Sequence, residues 1–388
     1  MKQSQYNYLK LDRTIMGKPL TSAVGDEAGR RGAKRVFVVI SGSLSRNTSI
    51  ISDLKAALGD RFAGVFDRTV THVPRESVMD LANSIRTSKA DLVLTVGGGT
   101  SLDSVKMALV CLAENLTNTD DLEAFAIRVN ETGERETPHI KAPPIRQIAA
   151  PTTLSGAEFS DLSGCVDNTT QVKQLFSGAE IGPAVVILDP ALTVHTPEDL
   201  WLSTGVRALD HAVETICSTE AMPLSDAGAL HAIRLLGESL PINKSSPNDL
   251  DKRLDSQAAI PLACMGLNRV AYGASHGIGH QLGAVAGVPH GYTSCILLPH
   301  VMAYNLKATG DKQRLISEAL GRPTDKAADI MAGLIKTLGM PTRLRDVGVT
   351  HDHFQAIAEG SLKNAWVRAN PERIDKVDQV NEILEAAY

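Results

Sequence analysis

The passage from Asp91 to Lys106 constrains the fold more than any other stretch. DLVLTV is an unbroken apolar and β-branched run, as a strand buried on both faces requires. It passes directly into Gly97-Gly98-Gly99-Thr100-Ser101, and helical spacing then continues to about Glu114. A buried strand feeding a helix in this way belongs to a parallel sheet with right-handed crossovers. The grammar recurs on either side. Arg35–Ser41 runs into a turn at Gly42-Ser43 and a helix to about Leu58. Phe62–Phe66, Gln147–Ala150 and Val185–Leu188 read as further strands, residues 5–16 as a short opening strand, and Pro74 opens a helix to Ser88. Asn115–Ala142 is polar and aperiodic, and reads as an exposed loop with at most one short helix.

After Asp189-Pro190 the pattern changes. Thr196-Pro197-Glu198-Asp199 is a strong helix start, and strand signals are nearly absent from there to Tyr388. The expected architecture is an α/β Rossmann-like domain over residues 1–190 and an all-α helical domain over residues 191–388. The 388-residue length suits two domains.

Net charge of −5 and 4% aromatic residues leave little for a nucleic-acid surface. No apolar run approaches the roughly 18 residues of a membrane span. The N-terminus lacks the apolar core of a signal peptide. The 5 cysteines, an odd number without a CxxC pair, read as reduced thiols. The expected setting is the cytoplasm, with a small-molecule substrate and neither nucleic acid nor membrane as partner.

Consecutive glycines between a buried strand and a helix form a phosphate site. The backbone approaches an anion closely, and the free N–H groups and helix dipole favour its charge. Thr100 and Ser101 add hydroxyl donors, and Ser101 can also cap the helix. Pro151-Thr152-Thr153 begins a second loop, up to Gly156. The spacing is neither Walker A nor GxGxxG. Asp103 and Lys106 read as a solvated pair. The first strand ends at Ser41-Gly42-Ser43 with Arg46 nearby and no acid, which favours NADPH or tolerance of both nicotinamide forms.

The second half carries histidines at informative spacing. His276 and His280 are i and i+4 on a predicted helix, about 6 Å apart at Cβ. Arg207 and His211 are spaced alike, and His290 lies in a Pro-His-Gly turn. Facing helices would bring these five side chains together as a catalytic or metal site. A histidine relay would change activity between about pH 5 and 8.

At this level the sequence resembles the iron-containing alcohol dehydrogenase superfamily, which includes maleylacetate reductases. GGGTSLDSVK at Gly97–Lys106 resembles the family's GGGSxxDxxK, and PTTLSGAEFS at Pro151–Ser160 is similar to PTTxxTGSE. ILDP, GASHGIGHQLG and PHGYTSCILLPHVMAYN complete the likeness. The resemblance implies a nicotinamide cofactor between the two domains, with pyrophosphate on Gly97, Gly98, Gly99 and Ser101. It implies that Asp103 lies near the nicotinamide and that Thr152, Thr153 and Lys173 line the cofactor cleft. It also implies a divalent metal, iron or zinc, on one Asp and three His, the latter matching His211, His276 and His290. Relatives are often dimers or larger.

Arg207 stands at the family's Asp position. An arginine keeps its charge and offers no lone pair, so it cannot ligate a cation. Asp210 is a displaced carboxylate, and three imidazoles alone can hold zinc. The alternative is that Arg207 replaces the metal and stabilises a developing oxyanion. Maleylacetate reductases resemble this case, since they too lack the Asp and act on a dianionic oxo acid. Their glycine loop usually lacks the acid and lysine found here at Asp103 and Lys106. The expected function is hydride transfer between NAD(P)H and a small oxo acid or aldehyde. Arg207, His211, His276 and His290 surround the carbonyl oxygen and His280 relays the proton. Tyr272 and Tyr292 are candidates for the pocket wall. The alternatives are a metal-dependent alcohol dehydrogenase, a dehydroquinate synthase-like lyase, and a cofactor-binding protein without catalysis.

Overall fold

The computed structural model describes residues 5–129, 135–170 and 172–388. Backbone contacts divide the chain into two compact units, Tyr8–His195 and Thr196–Tyr388 with the N-terminal segment to Asn7.

The first unit is a parallel sheet with helices on both faces. Its elements run β1 (Arg13–Met16), α1 (Leu20–Arg30), β2 (Val36–Ile40), α2 (Gly42–Asn47), α3 (Ile50–Leu58), β3 (Phe62–Phe66), α4 (Arg75–Ser88), β4 (Leu92–Gly97) and α5 (Gly99–Ala113). They continue through β5 (Arg128–Val129), β6 (Arg135–Glu136), β7 (Arg146–Pro151), β8 (Leu162–Asp167), β9 (Val172–Ser177), β10 (Val185–Leu188) and α6 (Pro190–Thr193). The main sheet has the order β1-β10-β7-β4-β2-β3, all parallel. Successive β2 residues alternate between two cores. Phe37 and Val39 face α4 and α5, whereas Val36, Val38 and Ile40 face α1 and α3. A strand covered on both faces must be apolar throughout, which is why it reads as an unbroken run.

Two stretches depart from expectation. Asn115–Ala142 is not simply an exposed loop. It holds a 3-10 helix at Asp120–Phe125 and the β5–β6 hairpin, and it buries Leu116, Leu122, Ala126 and Ile140. Its residues 130–134 lie outside those described. The stretch between Gly156 and Val185, where no strand was expected, forms the antiparallel hairpin β8–β9. Both are fastened by buried Arg75, which binds Glu123 at 2.6 Å and Asp167 at 3.4 Å. Such an anchor joins distant segments and leaves no local period to read.

The second unit is helical, and no strand occurs among its described residues. Its elements are α7 (Glu198–Cys217), α8 (Pro223–Ser245), α9 (Leu250–Ala263), α10 (Ala274–Ala286), α11 (His290–Tyr304), α12 (Leu306–Ala319), α13 (Ala327–Thr337), α14 (Phe354–Leu362), α15 (Ala365–Arg368) and α16 (Val377–Ala386). α7 is central. It packs on α8 and α11, and Trp201 near its start donates to Asn243 on α8 at 2.9 Å. α10 and α11 pack on each other and on the core shared with α14 and α16.

The first unit also buries charge. Lys106 on α5 is fully buried, contrary to the solvated pair expected with Asp103. Its ammonium donates to the Leu162 carbonyl at 2.8 Å and sits 3.2 Å from Asp103. Glu158 is 2% exposed, and neither carboxyl oxygen has a partner in another described residue. Burial pushes its carboxyl up to about 7, against the pull of Lys106. The folded chain thus holds a proton that the unfolded chain releases above the ordinary carboxyl range. Stability from this group is greatest in acid, falls as pH rises to about 7, and levels off above that. Glu158→Gln, which never ionises, should gain about 3 kcal/mol on wild type between about pH 4 and pH 8, as read by chemical denaturation. An identical wild-type-to-variant difference at both pH values contradicts this.

Candidate active site

Two groups of functional side chains form, one in each unit. In the first unit they gather at the carboxyl ends of β2, β4 and β7. The glycine turn follows β4, which pairs with β2 where the strand order reverses direction, the usual ligand crevice of open α/β sheets. Ser41 ends β2, with its amide bonded to the Val96 carbonyl at 3.1 Å. Thr152 and Thr153 follow β7, and the Thr152 amide donates to the Gly97 carbonyl at 3.1 Å. The glycines are required partly by their own neighbours. A Cβ on Gly98 would stand 2.9 Å from the Thr153 methyl, and one on Gly97 would stand 2.8 Å from the Ser101 hydroxyl.

Gly99 opens α5, and the Gly98 position lacks a capping side chain, so the first amides of the helix remain available to an anion. Ser101 does not cap the helix, because its buried hydroxyl is paired with Thr69 at 3.2 Å. Thr100 is half-buried in the first turn, and Asp103 lies one turn on beside Lys106. Lys173 stands elsewhere, on β9, exposed and with its chain lying over Gly164.

In the second unit, α7, α10 and α11 bring the predicted polar residues together. His211 and His276 are buried with ring centroids 4.6 Å apart, and Tyr272 lies 4.8 Å from His276. Tyr272 thus packs among the histidines, whereas Tyr292 turns its hydroxyl toward Asp199 at 3.5 Å. His280 is half-buried and His290, the first residue of α11, is exposed. Their rings are 6.3 Å apart.

Arg207 on α7 donates to the Ser294 hydroxyl at 3.1 Å. Burial lowers its affinity for the proton, opposed by Asp210 and Glu214, yet a guanidinium keeps its charge. Asp210 is fully buried and accepts from Ser275 at 2.9 Å and Ser294 at 2.6 Å. Burial raises its carboxyl to about 6, with Arg207 pulling the other way. Glu214 accepts from the Ser275 amide at 2.9 Å and faces His276 Nδ1 at 2.8 Å. Burial first, then Asp210, raises Glu214 to about 8. His276 is driven well below its usual range, chiefly by burial and then by Arg207. Both effects favour the neutral ring over the imidazolium. Its buried Nε2 has no partner among the described residues.

The family's metal can be tested against this set. One position holds Arg207, which ligates nothing. Among the described residues, Asp210, Glu214 and His276 bring their donor atoms within 4.8 Å of one another. The donors present do not fit a metal held by one Asp and three His.

Several contributors were silent in the sequence. Ser275 and Ser294 are common helix residues, and only packing brings them to Asp210. Trp366 on α15 covers the histidines, with ring centroids 4.9 Å from His280 and 5.9 Å from His276, and Asn364 approaches His280 Nδ1 at 3.3 Å. Glu214 did leave a signal, because Arg207, Asp210, His211 and Glu214 follow the i, i+3, i+4, i+7 spacing of one helical stripe.

Comparisons with known proteins agree with this layout. Residues 12–190 match the model of the iron-containing alcohol dehydrogenases, and residues 201–388 match the C-terminal domain of the same family. Dehydrogenase ALT3 of Alternaria alternata is 34% identical, covering 92% of this chain and 99% of its own. The 1,3-propanediol dehydrogenase of Citrobacter freundii is 31% identical over the whole of both chains, 100% of each. The crystal structure of maleylacetate reductase from Agrobacterium tumefaciens superposes with a TM-score of 0.83 at 25% identity, covering 100% of this chain and 99% of that one. With both halves of its length matched in order, the chain belongs to the iron-containing alcohol dehydrogenase family, as an oxidoreductase of that family.

Proposed function

We propose that this chain reduces a small carbonyl compound, an oxo acid or an aldehyde, by hydride transfer from NADH or NADPH without a metal ion. The observation that carries this reading is Arg207, a permanent cation fixed among buried histidines where the family places a metal-ligating Asp. Hydride leaves the dihydronicotinamide for the carbonyl carbon, and negative charge gathers on the oxygen. Arg207 supplies the opposing charge from a half-buried position, where it counts for more than in open water. The guanidinium can also grip a substrate carboxylate in bidentate fashion. Neutral His276, held through Nδ1 by Glu214, keeps Nε2 for the same oxygen. His211 packs against it, and His280 with His290 forms the outer, solvent-reaching pair that returns the proton to the alkoxide.

The glycine turn, with Ser41, Thr100, Ser101, Thr152 and Thr153 around it, is the proposed dinucleotide site. Asp103 lies near the nicotinamide end, and Lys173 is a cleft residue that binding would have to recruit from β9. The maleylacetate reductase likeness supports an oxo-acid substrate, and the NAD-dependent methanol dehydrogenase of Bacillus methanolicus, 26% identical, supports the nicotinamide. The proposed working form is a cytoplasmic homodimer or larger homo-oligomer. A second reading, a metal-dependent alcohol dehydrogenase, draws on the Asp210, Glu214 and His276 cluster.

A screen of NADH and NADPH oxidation with maleylacetate, succinic semialdehyde, glyoxylate and propionaldehyde should find turnover that survives chelator, with far less than stoichiometric iron and zinc in the purified protein. Full metal occupancy together with loss of activity on chelation favours the second reading. Arg207→Gln should lower kcat/KM by roughly 100-fold or more, the scale of one lost oxyanion donor. A variant within a few-fold of wild type removes Arg207 from the chemistry.

A further inference from the structure

Resting on the role just given to Arg207, we propose that Asp210, acting through Ser294, is the positioning residue that aims the Arg207 guanidinium at the carbonyl oxygen. The three groups form a chain with a fixed direction. A serine hydroxyl has one proton and two lone pairs. Ser294 on α11 commits its proton to Asp210 at 2.6 Å, so a lone pair is left to accept from Arg207 at 3.1 Å. The carboxylate polarises the hydroxyl and makes it a better acceptor for the cation. Asp210 is itself held by a second serine, Ser275 on α10, on the same Oδ2 at 2.9 Å. Asp210, Ser275 and Ser294 are all 0% exposed, so no solvent competes for these bonds.

The geometry separates positioning from catalysis. Arg207 and Asp210 are i and i+3 on α7, yet the hydrogen-bonded link between them runs through a residue of another helix. A long guanidinium side chain has many rotamers. Ordering it in advance removes an entropy cost from the reaction. Ser275 bonds Asp210 but not Arg207, so the two serines differ in the property at issue.

The test compares Ser294→Ala, Ser294→Thr, Ser275→Ala, Asp210→Asn, Arg207→Gln and the double variant Arg207→Gln/Asp210→Asn in the full chain. kcat and KM are measured separately with the fastest carboxylate-bearing carbonyl of the screen above, and thermal unfolding verifies folding. Ser294→Ala and Asp210→Asn should each lower kcat roughly tenfold or more, a loss of about 1.4 kcal/mol, with KM for the dinucleotide unchanged. Ser294→Thr should recover most of the loss, and Ser275→Ala should cost clearly less than Ser294→Ala. Asp210→Asn should add nothing once Arg207 is Gln, because the group it positions is gone. Equal losses from the two serine variants, or losses that multiply in the double variant, overturn the proposal. If Asp210→Asn fails to fold, the serine comparison decides alone. Arg207→Gln at wild-type kcat, or no turnover by wild type on any probe, sinks both the role of Arg207 and its tether. An impaired Arg207→Gln beside a wild-type-like Ser294→Ala sinks the tether only.

Discussion

A half-buried guanidinium whose charge acts on a buried imidazole and two buried carboxylates is the constraint on which the second unit depends. Such a cation is costly to withdraw from water, and the compensation must come from charge and hydrogen bonds within reach. Here Asp210 is the compensating carboxylate, and two serines donate to its Oδ2, while its buried Oδ1 has no hydrogen-bond partner among the described residues. Glu214, raised to about 8, is largely protonated at neutral pH and adds little negative charge. Burial and the fixed cation likewise push His276 toward its neutral form. Asp210 is thus the carboxylate set against Arg207, whose guanidinium is tied to the Ser294 hydroxyl.

The first unit solves a different problem with backbone alone. Its sheet ends bring the glycine turn, Ser41 and the Thr152–Thr153 pair together. The side chains that could cap α5 are turned elsewhere, since Ser101 pairs with Thr69 and Thr153 presses on Gly98. The helix amides are thus kept for an outside anion. Beneath them, buried Lys106 pairs with half-buried Asp103, and Glu158 stays without a hydrogen-bond partner in another described residue.

The sheet was legible because burial on both faces writes itself as unbroken apolar runs, as in Val36–Ile40 and Leu92–Gly97. The helical half was legible through periodicity and through the spacing of His276 and His280. What escaped was structure fixed by single long-range anchors. Arg75 holds Glu123 and Asp167, residues far from it and from each other in sequence, and no local pattern foretells that. The solvated reading of Lys106 failed for a related reason. A lysine on a helix usually reaches water, but here the β8 backbone carbonyl of Leu162 receives it. At the candidate site, the spacing showed which residues share α7. It could not show that Ser275 and Ser294 arrive from two other helices, or that Trp366 lies over His280.

The link from Arg207 through Ser294 to Asp210 also bears against reading Arg207, where the resemblance places a metal-ligating Asp, as the trace of a decayed metal site. Removing either charged partner leaves the other without its opposite in a poorly solvated setting, which is destabilising. A chain that merely lost its metal ligand would relax by placing a small neutral residue at 207, with no charge left to bury. Instead the sequence keeps a cation there, sets a carboxylate three positions along the same helix, and supplies a hydroxyl from α11 that fits between them. Maintaining that arrangement is costly unless the positive charge is used. Arg207 acts electrostatically on His276, which packs with His211 and Tyr272, so on the proposed reading the charge serves the substrate oxygen and retention of the arrangement follows from function more directly than from stability.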